Sequence, residues 1–332
     1  MALTVRFHEY GGPEVLRLDD VDPGRPGPGE VLVRIEAVGV NRAEALFRSG
    51  RYIEPAATFP ARLGAEAAGV VEALGPGVDE VAPGRPVSVV PAFSQNDYGV
   101  YAERAVVPAR ALVPRPGGVD AVTGAAVWMP HLTAYGAMSE VVGLRPGDVA
   151  VVTAASSGVG LAALRTAARL GATPVAVTRT RAKADRLRAE GAAEVVVAEE
   201  DDVAARVLEL TGGHGAAAVF DAVAGPGVVD LARAVAAGGT LLLWGAQSGL
   251  PTPYPGFELG MPALSLRTYT VHEITRDPSR LRRAVAFVGS GLRDGAFRAV
   301  VDRVFPLADA AGAHRYLDSG DRFGKVVLTV AR

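Results

Sequence analysis

One stretch of sequence, VVTAASSGVGLAALRTAARLGA, decides the fold; it runs from Val151 to Ala172. It opens with β-branched apolar residues, passes through a turn of small residues, and continues as an alanine- and leucine-rich segment typical of a helix. Gly158 and Gly160 allow the backbone to approach a pyrophosphate, which the amides and the dipole at the helix N-terminus would bind. The pattern predicts a nucleotide-binding strand, turn and helix. The alternative is that the two glycines only allow close packing of helix on strand.

The sequence around this stretch alternates short apolar strands with helices, as βαβ units do. Strands are predicted at residues 149–153, 174–178, 194–197, 218–221 and 240–244, and helices at 158–170, 181–190, 202–211 and 227–236. The strands are almost continuously apolar, which is typical of strands buried on both faces of a parallel sheet. Residues 123–262 are therefore predicted to form a Rossmann domain, an α/β fold with a doubly wound parallel sheet.

The two ends of the chain have a different character. Near-alternating strands at residues 31–38 and 69–74 stand among Gly-Pro turns, which predicts a β-rich barrel or sandwich. Beyond residue 262 the pattern is less regular, with strands predicted at 266–271, 300–305 and 325–330 and helices at 278–288 and 307–317. This tail is too short to bury a large core of its own. We therefore predict one β-rich domain from residues 1–122 and 263–332.

A cluster of cations follows the second predicted strand of the nucleotide-binding domain. NAD-specific sites carry a carboxylate about 20 residues beyond the glycine turn, but this strand ends at Thr178 and continues with Arg179, Arg181 and Lys183. Guanidinium and ammonium groups there suit the 2′-phosphate of NADPH. The cluster thus predicts NADPH rather than NADH, with a solvated basic helix start as the alternative.

Composition excludes several classes of protein. A chain of 332 residues has room for about two domains. The net charge of -2 disfavours nucleic acid and anionic membranes as partners, and the absence of cysteine excludes disulfides and thiolate metal sites. The first residues lack the pattern of a signal peptide, and no transmembrane stretch is evident, so a cytoplasmic protein is expected.

Several short segments, taken together in order and spacing, resemble a known family. They are residues 10–16 (YGGPEVL), 39–41 (GVN), 48–52 (RSGRY), 63–69 (LGAEAAG), 132–135 (LTAY), 154–160 (AASSGVG) and 324–328 (GKVVL). Over essentially the whole chain, the sequence resembles the zinc-independent quinone oxidoreductase and enoyl reductase branch of the medium-chain dehydrogenase/reductases.

The resemblance implies a GroES-like (chaperonin-10-like) β-rich catalytic domain, an NADPH-binding Rossmann domain, an active site in the cleft between them, and a homodimer. It places Asn41 where zinc-dependent relatives have a cysteine ligand, and Ala65 where they have a histidine. No metal is therefore expected. The implied enzyme is an NADPH-dependent oxidoreductase that transfers hydride to a quinone, or to the β-carbon of an α,β-unsaturated carbonyl.

The candidate site residues follow from the resemblance together with the glycine turn and the cation cluster described above. The catalytic candidates are Asn41, Tyr52, Thr133 and His131, with Tyr52 the better proton donor. The cofactor candidates are Ser156, Ser157, Gly158, Val159, Gly160, Thr178, Arg179, Arg181, Lys183, Gly245 and Lys325. For Tyr52 a role as an aromatic of the barrel surface is the alternative, and for His131 a packing role is favoured. Glu66 is expected to order the base of the cleft rather than to transfer protons.

Two further functions remain open on the sequence. The first is a dedicated enoyl or enone reductase of a biosynthetic pathway, such as one that makes polyketides. The second is a protein that binds NADPH without catalysis.

Overall fold

The computed structural model of the protein describes residues 1–261 and 263–331, which fold into two compact units. Unit 1 comprises Met1–Met129, Thr275–Val285 and Arg298–Arg332, and unit 2 comprises Pro130–Ile274 and Ala286–Phe297. These boundaries differ from the predicted ones at three places, one of which is Ala286–Phe297, predicted in the β-rich domain and found in unit 2. Residues 123–129 belong to unit 1, because Ala125 and Ala126 pack in a small core with Ala37 and Ala68. Residues 263–274 belong to unit 2, because they extend its parallel sheet.

The N-terminal part of unit 1 consists mainly of short strands. In chain order it contains β1 (Ala2–Phe7), β2 (Leu16–Val21), β3 (Glu30–Val40), α1 (Arg42–Arg48), β4 (Ala61–Arg62), β5 (Ala67–Leu74), β6 (Pro86–Val89), β7 (Arg104–Pro108), β8 (Leu112–Pro114) and α2 (Ala121–Gly124). Every second residue of β3 is buried up to Ala37, as expected for a strand with one face on a core. Beyond Ala37 the last residues of β3 are all buried, and they lead directly into α1.

The middle of the chain forms the parallel sheet of unit 2. The elements of this part of the chain are α3 (Trp128–Tyr135), a π-helix (Gly136–Val142), β9 (Val149–Val152), α4 (Gly158–Arg169), β10 (Thr173–Thr178), α5 (Ala184–Ala189), β11 (Glu194–Val197), α6 (Val203–Leu210), β12 (Ala216–Asp221), α7 (Val228–Ala232), β13 (Val235–Leu243), β14 (Ser265–Thr268) and α8 (His272–Thr275). The strands lie in the order β11-β10-β9-β12-β13-β14 and pair in parallel. The predicted doubly wound sheet is thus confirmed. Its strand order reverses between β9 and β12, where such sheets bind ligands.

The C-terminal part of the chain contains α9 (Pro278–Arg293), β15 (Val301–Pro306), α10 (Ala310–Ser319) and β16 (Lys325–Thr329). Strands β15 and β16 complete a sheet of unit 1 in the order β15-β16-β3-β5-β6-β8, and β7 pairs with β3 as well. Strand β16 runs antiparallel to β3, with Val326 opposite Val40. This register brings Lys325 beside Asn41, although the two residues are 284 positions apart in the sequence.

The predicted helix at residues 227–236 is wrong in its second half. Helix α7 ends at Ala232, and β13 already begins at Val235, which pairs with Ala216 of β12. The alanines of this segment favour a helix, but Gly238 and Gly239 interrupt it and pairing with β12 decides the outcome. The helix predicted at 181–190 begins as a 3-10 turn, Arg181–Lys183, before α5.

Within residues 1–261 and 263–331, no helix combines the length and the apolar character needed to cross a membrane.

Candidate active site

The turn between β9 and α4 has room only for small side chains. A Cβ atom at Gly160 would lie 2.6 Å from the backbone oxygens of Ala154 and Ala155. Ala154 itself has a φ of 46°, which is uncommon for a residue other than glycine. The Ser157 hydroxyl accepts a hydrogen bond of 3.0 Å from the Gly160 amide and so caps α4. Ser157 is thus the N-cap residue of α4.

A second tight loop follows β12, on the other side of the strand-order reversal. The carboxylate of Asp221 is fully buried and accepts hydrogen bonds from the amides of Val223 (3.1 Å) and Ala224 (2.7 Å). Ala224 has a φ of 56°. After β13, a Cβ at Gly245 would lie 2.6 Å from the Ala222 oxygen. Backbone strain of this kind often marks a ligand-binding loop.

The predicted cation cluster lies at the end of β10, and two of its charges have acidic partners. The Arg179 side chain is 78% exposed and lies 3.8 Å from the carboxylate of Glu199. Arg181 donates hydrogen bonds to Glu200, which raise its pKa. The Lys183 ammonium lies 3.3 Å from the Ser156 hydroxyl in the turn before α4. The structure thus brings Lys183 to the glycine turn, and leaves Arg179 as the more loosely paired of the two arginines.

In unit 1, Asn41 lies at the centre of a buried polar network. Its Oδ1 accepts a hydrogen bond from the Lys325 ammonium, which also donates to Glu66 Oε2 at 2.6 Å. Its Nδ2 donates to the Gly39 oxygen at 3.1 Å, and its backbone amide donates to Glu44 Oε2 at 2.7 Å. Asn41 precedes α1 as the N-cap residue, and Glu44 is the third residue of that helix. The network therefore sits at the junction of β3, α1 and β16.

Glu44 and Tyr52 have displaced pKa values in this region. Complete burial raises the pKa of the Glu44 carboxyl to about 7, and the Lys325 charge acts in the opposite direction. Burial and then the negative charge of Glu44 raise the pKa of Tyr52 to about 12. The Tyr52 ring contacts Phe47 edge to face, with the centroids 6.1 Å apart. Tyr52 accordingly keeps its proton at neutral pH and can donate a hydrogen bond.

The two remaining catalytic candidates belong to α3 in unit 2. Thr133 is buried. His131 is 2% exposed, and its ring lies 4.5 Å from the ring of Phe297, centroid to centroid. This environment favours the packing role over contact with a substrate, and the catalytic assignment of His131 stays a prediction.

The structure therefore sorts the predicted residues into two groups. Residues 156–160, Thr178, Arg179, Arg181, Lys183 and Gly245 belong to unit 2, around the ends of β9, β10 and β13. Lys325, predicted with the cofactor residues, lies in unit 1, where its ammonium donates hydrogen bonds to Asn41 and Glu66. Its role toward the cofactor stays a prediction.

Sequence reasoning missed four acidic residues of these regions. Glu199 and Glu200 could have been found, because the end of β11 lies beside the end of β10 in a parallel sheet. Asp221 ends a predicted strand on the other side of the sheet reversal, which is also a readable signal. Glu44 stands three residues after Asn41, a capping-box spacing. Its complete burial, however, depends on tertiary packing.

Comparison with known proteins places this fold in a family. The model of the alcohol dehydrogenase GroES-like domain matches residues 27–117, and that of a zinc-binding dehydrogenase matches residues 190–328. A quinone oxidoreductase from Pseudomonas aeruginosa is 35% identical over 332 residues, which are 99% of each chain. A 2-haloacrylate reductase from a Burkholderia species is 29% identical over 334 residues, again 99% of each chain.

Solved structures agree with the sequence relatives. The crystal structure of Escherichia coli quinone oxidoreductase in complex with NADPH superposes with a TM-score of 0.92 at 28% identity, covering 99% of this chain and 100% of that one. The chain belongs to the quinone oxidoreductase branch of the medium-chain dehydrogenase/reductase family. The predicted family, the GroES-like and Rossmann architecture and the oxidoreductase class are confirmed.

Proposed function

We propose that this protein is an NADPH-dependent reductase that delivers hydride to a quinone, or to the β-carbon of an α,β-unsaturated carbonyl, without zinc. The observation that carries the proposal is the pair of hydrogen bonds that the Lys325 ammonium donates to Asn41 and Glu66. A fixed cation stands there, in a network that lacks the thiolate and imidazole groups of a catalytic zinc site.

The residues of unit 2 fit NADPH. The turn packs tightly at Gly160, where a Cβ would lie 2.6 Å from the backbone oxygens of Ala154 and Ala155. It leads into the N-terminus of α4, and backbone amides at a helix N-terminus suit a pyrophosphate. Arg179 and Lys183 follow β10, where the 2′-phosphate of NADPH would lie in a Rossmann domain. The E. coli relative is described in complex with NADPH. When bound, NADPH supplies the hydride.

The residues of unit 1 do not fit a catalytic zinc. Asn41 offers a neutral amide whose oxygen already accepts from Lys325, and Ala65 offers no donor atom in its side chain. The sequence contains no cysteine. In the part of the chain that the structure describes, no group of three or more His, Asp or Glu side chains is arranged to hold a metal ion. The proposed reaction therefore uses no metal ion.

The reaction needs donors to oxygen more than a strong base. As hydride arrives at the β-carbon, or at a quinone, negative charge develops on the acceptor oxygen. The Tyr52 phenol keeps its proton at neutral pH and can donate a hydrogen bond to that oxygen, and Asn41 and Thr133 are the other candidate donors. A solvent proton then completes the hydroquinone, or the saturated carbonyl at its α-carbon.

An acceptor panel tests the proposal. Purified protein is mixed with 4-deuterated NADPH and, in turn, with 1,4-benzoquinone, a small enone, 2-chloroacrylate and an enoyl thioester. We expect NADPH oxidation with at least one of the first three, and deuterium at the β-carbon of a reduced alkene. The 2-haloacrylate relative favours the activated alkenes as a second acceptor class.

The other outcomes identify the alternatives. Turnover of the enoyl thioester alone would indicate a dedicated biosynthetic reductase. Tight NADPH binding with no acceptor reduced would contradict the proposal and indicate a non-catalytic protein. Stoichiometric zinc that is required for turnover, measured by metal analysis after dialysis against a chelator, would contradict the zinc-free reaction.

We also propose that the protein forms a homodimer through the β14 edge of unit 2. The segment before this edge strand exposes four large apolar side chains, of Leu250, Tyr254, Phe257 and Met261, with Phe257 88% exposed. The last strand of a sheet, beside exposed apolar side chains, is suited to a second copy of the chain. Light scattering after gel filtration should give twice the chain mass of 34.2 kDa. Tyr254→Asp with Phe257→Asp should give the monomer, and a wild-type monomer would contradict this assignment.

A further inference from the structure

The ion pair between Lys325 and Glu66 is almost completely enclosed in unit 1. Lys325 is 4% exposed and Glu66 is fully buried, and their charged atoms lie 2.6 Å apart. Replacing a buried ion pair by apolar residues of similar size often leaves a protein as stable or makes it more stable. Stability alone therefore gives little reason for charges at this place.

Each member of the ion pair makes one further hydrogen bond. The Lys325 ammonium donates to Asn41 Oδ1, and the second oxygen of Glu66 accepts a hydrogen bond of 2.7 Å from the Met129 amide. Met129 is the second residue of α3, so Glu66 places a carboxylate at the N-terminus of that helix, where negative charge is favourable. Within unit 1, one ion pair thus holds both the Met129 amide and the residue that precedes α1.

The backbone around the pair is shaped to admit it. A Cβ at Gly39 would lie 2.5 Å from Glu66 Oε2 and 3.0 Å from Lys325 Cε. Because Gly39 carries no side chain, Glu66 and Lys325 can meet beside β3, and the ammonium can reach Asn41.

The ammonium also sets which end of the Asn41 amide is available as a donor. Oδ1 accepts a hydrogen bond from Lys325. If the amide were flipped, the ammonium would lose this hydrogen bond. Of the two Nδ2 contacts, the one with Gly39 O is 3.1 Å and the one with Glu44 Oε1 is 3.5 Å. The second is at the limit of a hydrogen bond, so this N–H is the more weakly bonded of the two and can share its proton with an acceptor oxygen while the amide stays in place.

We propose that Lys325 and Glu66 are positioning residues for the reduction: their ion pair fixes the Asn41 amide with its oxygen on the ammonium, so that its N–H group faces the developing negative charge. This inference rests on the proposed reductase function. It assigns Lys325 to Asn41 rather than to the cofactor.

The test replaces the pair by neutral groups of nearly the same shape. In Glu66→Gln with Lys325→Met, neither charge of the pair is left buried without the other, so the double variant should fold. We expect its kcat to fall about 10- to 100-fold, as for other small misplacements of a reacting group. The Kd for NADPH should stay within about 2-fold of wild type, since the cofactor residues belong to unit 2.

A matched control and a conservative variant complete the set. Glu36 and Arg115 form another largely buried ion pair of unit 1, with 2.8 Å between charged atoms, and neither is a candidate site residue. Glu36→Gln with Arg115→Met should leave kcat unchanged whatever its effect on Tm. Lys325→Arg keeps the charge and should recover part of the lost kcat.

Outcomes that overturn the inference are distinct from failure of the function. A kcat equal to that of wild type in the neutral double variant would overturn the inference. A large loss of NADPH affinity at unchanged kcat would also overturn it, and would indicate that Lys325 binds the cofactor. If wild type reduces no acceptor, the proposed function fails, and the inference fails with it.

A measurement on the folded protein covers the case in which the double variant does not fold. With only Lys183 and Lys325 in the chain, lysine labelled with ¹⁵N gives two side-chain ammonium signals in NMR, and Lys183→Arg identifies them. Asn41→Ala should shift the Lys325 signal and leave that of Lys183 unchanged. An unmoved Lys325 signal would overturn the inference without any assay of activity.

Discussion

The Thr153 hydroxyl donates a hydrogen bond of 2.5 Å to Asp221 Oδ1 and so joins the ends of β9 and β12. These two strands lie on either side of the point where the strand order reverses. The same hydroxyl accepts from the Ala222 amide at 2.9 Å. The carboxylate is thereby fixed between one side chain and two amides, in a region that the family fold uses for the cofactor.

Replacing Asp221 by Asn should destabilise unit 2. The carboxylate accepts hydrogen bonds from the Thr153 hydroxyl and from the amides of Val223 and Ala224. In asparagine one of the two oxygens becomes an NH₂ group, which cannot accept, so at least one of these hydrogen bonds is lost. A buried donor left without an acceptor costs about 1–3 kcal/mol. Urea unfolding should show a loss of this size, together with weaker NADPH binding. Thr153→Val, which removes only the hydroxyl, should show a smaller loss in both, and an unchanged Asp221→Asn protein would contradict the role of this contact.

Cofactor preference should depend on Arg179 and Lys183 more than on Arg181. A charge-assisted hydrogen bond to phosphate contributes roughly 1.5–3 kcal/mol, so Arg179→Ala or Lys183→Ala should weaken NADPH about 10-fold or more. Binding of NADH, which has no 2′-phosphate, should change little. Arg181→Ala serves as the comparison and should change NADPH affinity less, because the Arg181 guanidinium already donates hydrogen bonds to Glu200. Titration of cofactor fluorescence measures each Kd, and equal losses for NADPH and NADH would count against the assignment.

The sequence was most informative where local pattern and tertiary structure agree. Helix α4 was predicted at 158–170 and spans Gly158–Arg169, because its cap, its glycines and its apolar face all lie in one stretch. The start of β13 was missed, because alanines near Val235 favour a helix and only pairing with β12 makes them a strand. Lys325 illustrates the limit, since its contact with Asn41 depends on the register of β16 against β3.

Acid should destabilise unit 1 through His314. This residue is fully buried, and its Nδ1 accepts from Arg48 at 3.1 Å, so that burial and then the charge of Arg48 lower its pKa to about 3. The unfolded chain binds this proton near pH 6.5 and the native protein does not. Its contribution to stability is therefore complete above pH 6.5 and is lost as the pH falls toward 3, by about 1.4 kcal/mol per pH unit.

Urea unfolding between pH 7 and pH 4 measures this slope. In His314→Gln the contribution should disappear from the pH dependence, even if the variant is less stable throughout. His8→Gln is the control, because His8 is exposed and interacts with Asp19 at the surface. A wild-type slope that survives in His314→Gln would show that another group carries it.

Glu44 should give a pH dependence of the opposite sign. Because burial raises its pKa to about 7, the native protein keeps a proton that the unfolded chain loses near pH 4.5. The free energy of unfolding should therefore fall as the pH rises from 4.5 to 7, by about 3 kcal/mol at most from this group. In wild type the pH dependences that arise from His314 and Glu44 partly cancel, so the contribution of Glu44 should become visible in His314→Gln. Adding Glu44→Gln to that background should remove it, and an unchanged slope would contradict the assignment.

Gly39 should be the glycine of β3 that tolerates no side chain. A Cβ there would lie 2.1 Å from the Ala125 oxygen, besides its close approach to Glu66 Oε2. A backbone oxygen in the core cannot move away as a flexible side chain would, so Gly39→Ala should cost at least about 2–3 kcal/mol of unfolding free energy. Gly117→Ala is the matched control, because nothing lies within 4 Å of its added Cβ and its φ is not positive. That variant should unfold within about 0.5 kcal/mol of wild type. If the two variants unfold at the same urea concentration, the tight contact between β3 and the residues after α2 is not present in solution.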